Sequence, residues 1–80
     1  MSKFTMQLNQ VINGKELFEI HQEYFGVRFQ PIVYTNYNDK VEQINIIDNM
    51  THRCVKECYQ IRSANTFINK LLTKLNKRAA

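Results

Sequence analysis

The sequence predicts an α+β domain: a helix, a three-stranded antiparallel sheet and a C-terminal helix packed on that sheet, with a short strand possible at the N-terminus. Apolar residues recur at helical spacing over residues 14–25 and again over 64–78. Between these stretches lie three runs rich in β-formers, separated by clusters of turn residues.

Phe4, Met6 and Leu8 alternate with Thr5, Gln7 and Asn9, the period of a half-buried strand. The Asn13-Gly14 pair that follows is a strong hairpin signal. A continuous ladder through a two-residue loop sets Leu8 against Glu19, Met6 against His21 and Phe4 against Glu23, so neither face could be buried cleanly. A helix over 14–25 resolves the conflict. Asn13 becomes its N-cap with Glu16 at the third position, and Gly26 stops it. Leu17, Phe18, Ile20, His21, Tyr24 and Phe25 share one face, with Glu16, Glu19 and Glu23 on the other.

Residues 27–37 and 41–47 read as a strand pair around the turn Asn36-Tyr37-Asn38-Asp39, with Pro31 suited to an edge or a strand start. Residues 53–61 read as a third strand, because a lone hairpin needs more sheet to be stable. The competing reading fuses 51–78 into one helix, where Cys54, Cys58, Ile61, Asn65, Ile68, Leu72 and Leu75 keep heptad spacing for a coiled-coil structural module. In the last helix, about 64–78 with Ser63 as N-cap, Phe67, Ile68, Leu71, Leu72 and Leu75 form the apolar face. Lys70, Lys74, Lys77 and Arg78 run beside it, and Asn65, Asn69, Thr73 and Asn76 take the far side.

Eighty residues, 44% of them apolar, suffice for one core but leave little for a deep enzymatic cleft. The expectation is a single domain, 1–80, that binds rather than catalyses. No apolar run approaches the roughly 18 residues of a membrane span, and the first residues lack the apolar core of a secretion signal. A cytoplasmic protein with no membrane partner follows as the expectation. Asn, Ile, Lys, Tyr and Phe supply 33 of the 80 residues, whereas Ala, Gly, Pro and Arg supply 10, the bias of an AT-rich genome. In that style the chain resembles the small accessory proteins of large phages.

His52, Cys54 and Cys58, with His21 at a distance, are the one cluster of metal-ligand types, and their spacing is unspecific. Two free cysteines packed as small apolar groups are the preferred reading. On a strand the two cysteines would stand about 13 Å apart, beyond disulfide reach. Neither cysteine, neither histidine nor the Glu19 and Glu23 pair shows the orienting partner a catalyst needs. No catalytic residue, metal or cofactor is expected.

Charge is the strongest lead. Residues 1–57 carry a net charge of −1, while residues 58–80 carry five cations and no acid. Arg62, Lys70, Lys74, Lys77 and Arg78 are the candidate nucleic-acid contacts, with Asn36, Asn38 and Lys40 as secondary ones.

The expected order of helix, three strands and helix over residues 13–78 resembles the double-stranded-RNA-binding domain. Pro31 and Tyr34 lie where that family enters its first strand, and Arg62-Ser63 lies where it opens a basic second helix. The resemblance implies that helix 14–25 and the turn 36–40 meet successive minor grooves of RNA, with the last helix on the phosphates between. Ala64 and Asn65 stand where the family has paired lysines, and its Gly-Pro-x-His type of loop is missing. The partner expected is therefore structured RNA or another polyanion, bound by a monomer or a homodimer. The alternative is a protein-directed inhibitor or adaptor that blocks a host nucleic-acid enzyme or defence factor.

Overall fold

The computed structural model describes residues 3–79. They form five strands and one helix: β1 (Phe4–Ile12), β2 (Lys15–Gln22), β3 (Gly26–Thr35), β4 (Val41–Asp48), β5 (Arg53–Cys58) and α1 (Ile61–Ala79). The strands make one antiparallel sheet in chain order. α1 lies over β2 and β1, with smaller contacts to β4 and β5.

The fold is α+β, but the three-stranded sheet and the first helix give way to a five-stranded sheet and a single C-terminal helix. Residues 15–22 are strand β2. Asn13 (φ 51°) and Gly14 (φ 75°) both adopt the left-handed conformation, as a two-residue turn between right-twisted strands requires. The register conflict disappears because the ladder slips at Asn9, an extra residue with no partner on β2. Beyond this bulge Leu8 faces Phe18, Met6 faces Ile20 and Phe4 faces Gln22. One unpaired residue moves Leu8, Met6 and Phe4 off Glu19, His21 and Glu23, while Val11 and Ile12, on the turn side of it, still face Glu16 and Lys15. With β2 a strand, the element order that carries the likeness to the double-stranded-RNA-binding domain is replaced.

Each of the other ladders also shifts register once, between Ile20 and His21, Tyr34 and Thr35, and Ile46 and Ile47. Bulges increase strand twist. Leu17 and Ile20, three residues apart on β2, are both fully buried, which a flat ribbon would not allow. β2 pairs with β3 only at Ile20, His21 and Gln22. Where it leaves that ladder, α1 takes the place of a strand. Asn65 Nδ2 donates to the Glu16 carbonyl at 2.7 Å, and the Phe18 amide donates to Asn65 Oδ1 at 3.2 Å.

Asn76 repeats the device on β1, donating to the Phe4 carbonyl at 3.1 Å and accepting from the Phe4 amide at 3.2 Å. Since the Glu23 amide donates to the Lys3 carbonyl, Phe4 turns its own backbone groups away from β2. The helix therefore crosses the β1–β2 ribbon from one edge to the other, held at each by a side-chain amide. Asn65 and Asn76 face the sheet, not the far side of the helix.

Phe4, Leu17, Ile20, Phe29, Ile44, Ile46, Cys58, Ile61, Ala64 and Ile68 form the core. α1 begins at Ile61, so Ser63 sits within its first turn and is not the N-cap. β5 ends the continuous-helix reading of 51–78. The bulge at Val55 sends the cysteines to different environments, Cys54 exposed and Cys58 buried, both as free thiols. Burial pushes the Cys58 thiol up from its ordinary value. Among the described residues no three metal-ligand types gather, and no helix is long and apolar enough to cross a membrane.

Candidate nucleic-acid interface

The core side of α1 carries Ile61, Ala64 and Ile68, all buried, flanked by half-buried Leu72 and Leu75. At 100° per residue, Lys70, Lys74 and Lys77 project from the opposite side, with Arg62 and Arg78 at its margins. All five cations are exposed. The ion pairs among the described residues are Glu19 with His21 and Asp48 with Arg28, so none of the five is neutralised by an acidic side chain of the same molecule.

Thr66, Asn69 and Thr73 separate this row from the asparagine flank. Each donates a hydrogen bond to the carbonyl four residues earlier, at 2.9, 3.0 and 3.0 Å. Their donors turn back on the helix. Apart from the exposed Ser63 hydroxyl, the outward-reaching donors of this surface are the amines and guanidiniums.

The secondary candidates are divided. The Oδ1 of Asn36 accepts from the amides of Asn38 and Lys40, at 2.8 and 3.1 Å, so its carbonyl end builds the β3–β4 turn. Asn38 and Lys40 are exposed. The strand leaving this turn brings Val41 into one depression with Ile61, Arg62 and Lys15, so the turn lies toward the start of α1. Lys77 and Arg78 lie at the other end, next to the Asn76 contact with Phe4. The turn 36–40 and the end of the cationic row are thus not brought together.

A groove of about 500 Å³ runs between the end of β5 and the first turns of α1. Lys56, Arg62 and Lys70 stand around it, with Ser63 and half-buried Phe67 in its wall. The first turn of α1 carries no acidic residue. Nothing in the sequence around Lys56 ties it to the helix. Its register opposite Ile46 on β4 does so.

On the other side of the sheet, Asn9, the bulge residue, donates to Glu19 Oε2 at 2.8 Å, and Glu19 Oε1 meets His21 Nε2 at 2.7 Å. Glu19 is therefore engaged within the molecule. At the end of β4, Asp48 receives Arg28 Nε at 3.0 Å and the Met50 amide at 2.9 Å. Burial raises its pKa, but the Arg28 hydrogen bond, the Met50 amide and the Arg28 charge outweigh that and hold the carboxyl below its ordinary value. No family model, no curated protein and no solved structure matches this chain.

Proposed function

We propose that this protein is a non-enzymatic nucleic-acid-binding protein that lays the outer face of α1 along the phosphate backbone of structured RNA. One observation supports the reading above others: the exposed flank of α1 bears Arg62, Lys70, Lys74, Lys77 and Arg78 with no acidic side chain paired to them. From Arg62 to Lys77 the row spans about 22 Å, enough to follow several phosphates. Contacts of this kind give affinity without reading sequence. Five phosphate contacts make binding fall several hundredfold, to order of magnitude, between 50 and 200 mM salt. The test is fluorescence anisotropy with a structured RNA over that salt range, for the wild type and for Lys70→Glu/Lys74→Glu/Lys77→Glu. Loss of binding in the triple variant supports the reading. Unchanged affinity removes it.

A protein-directed role, as an inhibitor or adaptor, draws support from a different place. Tyr24 and Phe25 in the β2–β3 turn are 90% and 74% exposed, and Tyr24 holds a left-handed φ of 72° that a glycine or asparagine would adopt at less cost. Affinity purification after nuclease treatment separates the readings. A partner that survives nuclease and is lost on Tyr24→Ser/Phe25→Ser favours the protein-directed one.

A further inference from the structure

Resting on the nucleic-acid reading of α1, we infer that the groove between β5 and α1 seats one unpaired nucleotide, so that the protein grips RNA where a duplex gives way to a single strand. The groove differs in kind from the rest of the cationic surface. It is concave where the lysine row is convex, and its cations come from two elements: Lys56 from β5, Arg62 and Lys70 from α1. Three positive charges around one depression suit a phosphate more closely than charges spaced along a helix.

Phe67 adds what a phosphate alone does not need. Its half-buried side chain is an apolar wall among polar neighbours, and an aromatic residue beside cations is the combination that binds unpaired nucleotides. A base inside a duplex has both faces covered by its neighbours, whereas an unpaired base can offer a free face to Phe67. The volume, about 500 Å³, is of the size that takes a small organic ligand such as one nucleotide. The Ser63 hydroxyl and the α1 first turn, free of acidic side chains, add donors for the phosphate.

The experiment compares two labelled RNA hairpins by anisotropy, one blunt and one carrying a short unpaired end, against the full-length protein. The unpaired end should tighten binding about tenfold, the order expected for stacking one base on an aromatic ring. Phe67→Leu, which keeps an apolar side chain but removes the ring, should abolish that increment. Lys56→Gln, on an exposed strand position, should do the same with no demand on the core. In both variants the blunt hairpin should bind within about twofold of wild type. Equal binding of the two hairpins by the wild type, or an increment that survives both variants, overturns the inference and leaves the helix reading standing. Failure of both RNAs to bind the wild type removes the helix reading and this inference with it.

Discussion

Two polar flanks run along α1, and they are used in opposite ways. On one, Asn65 and Asn76 turn their amides inward and complete the hydrogen bonding of β2 and β1. On the other, Lys70, Lys74 and Lys77 meet no acidic side chain within the molecule. Both flanks are hydrophilic, and hydropathy alone does not separate them. What separates them is the chemistry of the side chain. An asparagine carries a donor and an acceptor in the spacing of a peptide group and can stand in for a strand. A lysine carries donors on a long, strongly hydrated stem and remains in water. Stability should therefore follow the amide flank, and binding the amine flank.

The largest expected effect is on binding. Reversing Lys70, Lys74 and Lys77 should remove RNA affinity, while the thermal midpoint stays close to wild type, because surface charges contribute little to stability. A parallel fall in both would erase the distinction between the flanks. Next in size is Asn65→Ala, which leaves the half-buried Phe18 amide without its partner and returns the exposed Glu16 carbonyl to water, and should cost about 2 kcal/mol in urea unfolding. Asn69→Ala is the matched control, since that side chain bonds only its own helix and the loss should stay within about 0.5 kcal/mol. Equal costs at the two positions would refute the clamp.

Asp48 sharpens the comparison from the sheet side. Its carboxyl titrates below the ordinary value in the folded protein, so its contribution is present above the unfolded carboxylate pKa of about 3.9. That contribution is lost as pH falls through the lower folded value. Asp48→Asn should cost about 1.5 kcal/mol at neutral pH and progressively less in acid, with urea midpoints at pH 7 and pH 3 as the measurement. The smallest effect belongs to Gly14→Ala. A Cβ there meets nothing within 4 Å, so only the left-handed backbone resists it, at about 1 kcal/mol.

How much of this was legible can be followed residue by residue. The apolar phase of α1 from Phe67 to Leu75 and the strands around the turn at 36–40 follow directly from residue type and period. The strand expected over 53–61, preferred to a helix because the hairpin needs more sheet, forms over the shorter Arg53–Cys58. In the first hairpin the Asn13-Gly14 turn is legible and the register is not. An unbroken ladder sets Leu8, Met6 and Phe4 against Glu19, His21 and Glu23, and the single unpaired Asn9 that cures this leaves no mark in hydropathy. The burial of both Leu17 and Ile20 imitated a helix, because the bends of β2 place two residues of opposite parity in one core. The five cations of the candidate interface were found from charge alone. Lys56 was not, since its place beside Arg62 depends on the sheet's register.

The substitution of a helical asparagine for a missing strand also bears on how the chain comes to be folded. The edge of β2 at Glu16 and Phe18 is completed by a residue 47 to 49 positions later, and Phe4 by one 72 positions later. Contacts this distant close late and slow the search for the native state. During synthesis the first hairpin leaves the ribosome with open backbone groups on both borders, and nothing within the ribbon can satisfy them. Until α1 arrives, that ribbon is the part of the molecule most exposed to pairing with the wrong chain. A helix made after all five strands is thus the one that seals the first two of them.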